Sequence, residues 1–239
     1  MVVLGPLFWD RLLTVPARSG AGVRAVLFDL DGTLIESRPA IAASLNHTLR
    51  ELGHPEVSEA EVAARIGWGL DHLLGESLPA DDVARGHRLY SAHYQRTAVA
   101  ASACLPGAPE VLEELRRRGV KTGVVTNKPA RFTASLLAGL GLAPRLDVVV
   151  GAGGGLRRKP APDMLCFALA AIGVEPRQSI YVGDMPLDGA TAAASGARFV
   201  AVATGVASAA ALRKTGAERV LNRLDELLHR PGPGSDELC

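Results

Sequence analysis

Four short apolar runs end in turn residues and lead into helical patterns: Arg24 to Phe28, Val120 to Thr126, Leu146 to Val150 and Ser179 to Val182. Their apolar residues stand on consecutive positions, which reads as strands covered on both faces. Ala197 to Ala203 reads as a fifth. Strands that alternate with helices need parallel crossovers, so the expected fold class is α/β, a doubly wound parallel sheet. Ligands of such sheets bind beyond the carboxyl ends of the strands, so chemistry is sought just after each run.

The stretch from Arg38 to Cys104 breaks the alternation. It holds no convincing strand and reads as amphipathic helices separated at Gly53 to Pro55, Gly67 to Gly69 and Leu78-Pro79. The expected organisation is an α/β core over 23–37 and 105–230, a helical insert over 38–104, a loosely packed extension over 1–22, and a disordered tail over 231–239. A chain of 239 residues, 48% of them hydrophobic, has enough material for a core with an insert.

Lys plus Arg number 26 against 25 Asp plus Glu, a balance too even to hold nucleic acid or an anionic membrane by charge. No run approaches the roughly 18 apolar residues that a membrane helix needs. Asp10 and Arg11 interrupt the opening segment, which makes a poor signal peptide, and Asp10 argues against a transit peptide. Cys104, Cys166 and Cys239 show no paired spacing, which argues against a disulfide framework or a cysteine zinc site and for a reducing cytoplasm. Only 4 of the basic residues are lysines, so each is worth locating.

The strongest local signal is Phe28-Asp29-Leu30-Asp31-Gly32-Thr33, two carboxylates set two apart where a buried strand runs out. Carboxylates held together beside an apolar strand need a cation, a proton or a division of labour between acid and base. A calcium loop is ruled out, because position 33 is Thr and position 40, where its last Glu belongs, is Ala. Gly183-Asp184-Met185-Pro186-Leu187-Asp188 adds two carboxylates to the same sheet edge, and oxygen ligands without His or Cys suit magnesium. Taken alone, that segment also reads as a capped strand-to-helix turn.

Thr126-Asn127-Lys128-Pro129 closes another strand ahead of a helix whose free N–H groups favour a phosphate, although a capped helix without a ligand has the same pattern. The side chains of Asn127 and Lys128 are expected only to shape this loop. In Lys159-Pro160-Ala161-Pro162-Asp163, proline keeps Lys159 out of the helix that Asp163 can start, and a compact ammonium is hinted at there. A solvated lysine is the plainer alternative.

In the order Asp-x-Asp, Thr, Lys, Gly-Asp-x-x-x-Asp, these segments resemble the haloacid dehalogenase superfamily from about Arg24 to Leu228. The insert after the first motif looks like a type 1 cap, and the chain is similar to phosphoglycolate phosphatases and their relatives. The resemblance implies a magnesium-dependent phosphatase acting on a small-molecule phosphate ester. Asp29 is then the nucleophile, Asp31 the general acid/base and a backbone magnesium ligand, and Asp184 a metal ligand. Thr126 and Lys159 bind phosphate, with Asn127 beside them. Asp188 is either a ligand or support for one. Arg65, just before Gly67-Trp68-Gly69, is the candidate partner for a substrate carboxylate, and a solvated helix residue otherwise.

Two alternatives share these residues. A phosphosugar mutase would use Asp29 and Asp31 but return the phosphoryl group to its substrate. A non-catalytic phosphoacceptor domain would lack the acid at position 31 and the long insert. Gly151 to Gly155 reads as a mobile loop ahead of Lys159, because Leu156 replaces the last glycine of a nucleotide fingerprint. The insert's five histidines read as surface or cap core, and Trp68 as cap core or part of a loop that meets substrate.

Overall fold

The computed structural model describes residues 22–228, so the expected extension and tail lie outside the described residues, apart from Gly22. The chain opens with β1 (Ala25–Phe28) and the two-residue β2 (Ile35–Glu36). Four helices follow: α1 (Arg38–Glu51), α2 (Glu59–Ala63), α3 (Leu70–Gly75) and α4 (Ala80–Thr97). The return passes through β3 (Ala103–Cys104) and α5 (Ala108–Arg117). Next come β4 (Lys121–Pro129), α6 (Ala130–Gly139), β5 (Val148–Ala152), α7 (Asp163–Ala171) and β6 (Ser179–Gly183). Last are α8 (Pro186–Ser195), β7 (Arg198–Val202), α9 (Ala209–Arg213) and β8 (Arg219–Leu221).

Six strands form one parallel sheet in the order β5-β4-β1-β6-β7-β8. Helices cover both faces, which is why the residues of β1 are buried consecutively. Val26 and Phe28 enter one apolar cluster, while Ala25 and Leu27 enter the other. The first cluster continues into the inserted helices through Leu45, Leu73, Tyr90 and Tyr94. The α/β expectation therefore holds, with a sixth strand, β8, too short at three residues to stand out in sequence.

The insert departs from expectation at one end. Ala103 and Cys104 form a strand, paired antiparallel with Glu36 and Ile35, so a two-stranded ribbon carries the chain into the helical layer and back. Within that layer, α2 begins with a reciprocal cap in which Ser58 and Glu61 satisfy each other's backbone N–H. His47 and His93 stack at 4.3 Å. Gly151 belongs to β5 rather than to a loop, and a Cβ there would lie 2.6 Å from Ala130 Cα, so α6 packs this close only against glycine. Gly153, Gly154 and Gly155, all with positive φ, make the turn that follows. Among the described residues, no helix is long and apolar enough to cross a membrane.

Candidate active site

β1 lies between β4 and β6, so the residues that follow these three central strands meet at one edge of the sheet. Asp29 leaves β1 and is 4% exposed, while Asp184 leaves β6 and is 2% exposed. Asp188, in the first turn of α8, is fully buried. Ligand oxygens of Asp29, Asp184 and Asp188 all lie within 4.8 Å of one another. Backbone makes room for them. Gly32 has φ 81°, and a Cβ there would stand 2.6 Å from Asp184 Oδ2, so this turn requires glycine on both counts. A Cβ at Gly205 would lie 1.6 Å from the same oxygen.

One cation pairs with two of the three acids. Lys159 Nζ is 2.9 Å from Asp29 Oδ1, donates to Asp188 Oδ1 at 2.7 Å, and donates to Tyr181 Oη at 3.0 Å. The Tyr181 hydroxyl in turn donates a hydrogen bond to the Val125 carbonyl at 2.7 Å. The contact between Lys159 and Asp29 is an ion pair without hydrogen-bond alignment, so among the described residues buried Asp29 Oδ1 accepts no aligned hydrogen bond. Among the described residues, Asp184 accepts only a hydroxyl, from Thr33 at 2.9 Å.

Burial pushes the Asp29 carboxyl up to about 6, against the pull of Lys159 and with a further push from Asp188. Burial, then the Asp29 and Asp188 charges, raise Asp184 well above the usual carboxylate range. Burial disfavours the Lys159 ammonium, but Asp188 and Asp29 outweigh it and hold the ammonium charged well above its ordinary range. Ionising all three carboxylates against one ammonium would leave two negative charges in a dry site. That excess, an orphaned carboxylate oxygen and an all-oxygen donor set fit a hard divalent cation such as magnesium.

The carboxylate of Asp31 takes a different direction. Lys128 Nζ donates to both of its oxygens at 2.9 Å, and Ser37 Oγ donates to Oδ1. Lys128 reaches it because β4 runs on to Pro129, with an irregular register between Thr126 and Pro129. The expectation that Lys128 only shapes its loop is thereby corrected. Scarcity, which drew attention to Lys159, applied equally to Lys128.

Thr126 is buried at the end of β4, and its Oγ1 accepts from Lys128 N at 3.3 Å. Asn127 is a brace. Its Nδ2 donates to the Gly67 and Lys159 carbonyls, both at 3.0 Å, and its Oδ1 accepts from Lys159 N at 2.9 Å. The insert thus touches the core at the site, and Arg158 adds an ion pair with Asp71 of α3.

Between core and insert lies a cleft lined by Asp29, Asp31, Thr126 and Lys128 from the core and by Arg65, Leu70, Tyr90 and Tyr94 from the insert. Arg65 is half-buried there, with Nη1 donating to Ser77 Oγ at 3.0 Å. Trp68, 44% exposed, is not cap core; it belongs to the loop whose Gly67 and Gly69 line the cleft, although its own side chain does not. The sequence reading also missed Tyr94 and Tyr181, which looked like ordinary apolar positions of a helix and a strand.

Comparison with known proteins agrees with this arrangement. The family model for haloacid dehalogenase-like hydrolases matches residues 26–202. A phosphoglycolate phosphatase of Rhodospirillum rubrum is 39% identical over 229 residues, covering 90% of this chain and 95% of its own. That of Escherichia coli K12 is 30% identical, covering 86% and 91%. Among solved structures, a predicted phosphoglycolate phosphatase from Haemophilus somnus superposes with a TM-score of 0.81 at 26% identity, over 86% of this chain and 96% of its own. With the sheet order, the acidic edge and these matches in agreement, the chain is a hydrolase that belongs to the haloacid dehalogenase-like family.

Proposed function

We propose that the chain hydrolyses a small phosphorylated acid of the phosphoglycolate type, through a phosphoaspartate formed at Asp29 with magnesium at the acidic edge. The observation that carries this reading is the divergence of two carboxylates from one strand end. Asp29 joins the buried acids beside Lys159, whereas Asp31 is held by Lys128 at the cleft. One carboxylate is placed to attack and the other to move protons.

In the first step an Asp29 oxygen attacks phosphorus, the ester P–O bond breaks, and Asp31 gives its proton to the departing alkoxide. In the second, Asp31 takes a proton from water as that water attacks phosphorus, which frees inorganic phosphate and restores Asp29. Lys159, 2.9 Å from Asp29, is within reach of the transferring oxygens, and the Thr126 hydroxyl stands at the same strand end. Asp29 and Asp184 would hold the metal together with the main-chain carbonyl of Asp31, while Asp188 would steady Lys159. When bound, magnesium neutralises charge on the phosphoryl oxygens.

The cleft supports a small leaving group. Its volume of about 50 Å³ is a few times what one water molecule needs. Arg65 is the candidate partner for the carboxylate, and the names of the relatives point to the same substrate. The test is phosphate release from small phosphorylated acids, sugars, nucleotides and pyrophosphate with magnesium. Preference for phosphoglycolate is expected. Preference for a nucleotide or pyrophosphate, or full activity in excess chelator, would overturn the reading.

A further inference from the structure

Tyr94 stands on α4 with its ring packed between Tyr90, at 5.4 Å, and Phe132, at 4.8 Å. It is 1% exposed, and its hydroxyl has no hydrogen-bond partner among the described residues. Buried tyrosine hydroxyls normally find one, because an unpaired buried donor is costly. Tyr94 also lines the cleft that holds Asp29 and Asp31.

Building on the phosphoglycolate reading, we infer that the Tyr94 hydroxyl determines specificity by donating a hydrogen bond to the carboxylate of the substrate's leaving group. Three observations select an anionic oxygen acceptor. Burial, and after it the Asp31 charge, raise the phenol well above its ordinary range, so the group is a neutral donor. The nearby Asp31 does not take this proton, its carboxylate being held by Ser37 and Lys128 at Oδ1 and by Lys128 at Oδ2. Lys128 Nζ, 4.9 Å from the centre of the Tyr94 ring, offsets the Asp31 charge beside the phenol, so an anion there does not face an unpaired carboxylate. Ile41, Leu70, Leu73 and Phe132 supply the apolar wall, which suits a short carbon chain between phosphate and carboxylate.

The test compares phosphoglycolate with ethyl phosphate, which has a similar length but no carboxylate, in wild type and in Tyr94→Phe. The ratio of kcat/KM for the two substrates should fall by about 10- to 100-fold in the variant, as expected when a buried bond to a charged group is lost. The ligand-free Tyr94→Phe protein should unfold at the wild-type temperature or above it, because no internal bond is removed. An unchanged ratio, or a lower unfolding temperature, would overturn the role of Tyr94. A wild-type ratio near one would overturn the carboxylate itself and with it the phosphoglycolate reading, a different outcome from a wild-type preference that survives in Tyr94→Phe.

Discussion

Lys128 Nζ lies 2.9 Å from each carboxylate oxygen of Asp31, across 97 residues of sequence. Both side chains are largely buried, at 6% and 15% exposure, so the pair is screened little by water or salt. The ammonium fixes the orientation of the carboxylate, and Ser37 fixes it from the other side. An acid/base group must keep its aim between giving a proton and taking one back.

Asp31→Asn should therefore lower kcat by about 100- to 10,000-fold with little change in substrate binding. Lys128→Met removes the aim together with the ammonium charge between Asp31 and the Tyr94 ring, and should lower kcat by about 10- to 100-fold. Steady-state kinetics on phosphoglycolate check both, with magnesium saturating. If Lys128→Met raised KM and left kcat unchanged, Lys128 would be a substrate contact and not the keeper of Asp31.

The acidic edge makes stability depend on pH in a predictable direction. The folded protein raises Asp29 from 3.8 to about 6 and Asp184 well above its ordinary value, both chiefly through burial. A raised carboxyl stabilises the fold below its unfolded value, and that contribution is lost as pH rises through the folded value. The metal-free protein should thus lose stability from about pH 4 through about pH 6 and beyond. Magnesium replaces the protons, so its effect on the unfolding temperature should be larger at about pH 7.5 than at about pH 5. Thermal unfolding in magnesium and in chelator checks this. An increment that is larger at the lower pH would contradict it.

The seating of the helical layer on the core can be tested at Gly67. Its φ of 99° favours glycine whatever the space, and a Cβ there would also have to displace Met185 Sδ, 2.2 Å away. Gly67→Val should hold the loop away from the core and raise KM by about 10-fold or more, with the core still folded. Asn127→Ala removes the hydrogen bond to the Gly67 carbonyl, and with it the bonds to Lys159, so it should lower kcat as well. Kinetic profiles of the two variants that coincide would show that Asn127 does not brace Lys159.

The residues after β1 and β6 were legible because a strand buried on both faces announces its own end. Asp29, Asp31 and Asp184 could then be placed on one sheet edge from the α/β pattern, whereas Lys159 was assigned to the site only through the resemblance. Lys128 was not legible, since its partner is fixed by β4 lying beside β1 and by the irregular register after Thr126. Tyr94 was hidden for a similar reason. Its ring serves the core like any apolar residue of α4, and only the lack of a hydroxyl partner marks it out. The two-residue strands β2 and β3 carry too few residues to show a period.

The central claim is that Asp29 takes the phosphoryl group. Asp31→Asn can still transfer phosphate from an aryl phosphate, whose leaving group needs little acid help, but lacks the base that activates water for the second step. Acid quenching of this variant with the aryl phosphate, followed by peptide mass spectrometry, should find one phosphoryl group on the peptide containing Asp29, and on Asp29 itself. Turnover with no phosphopeptide, or a phosphoryl group on any other residue, would contradict the account.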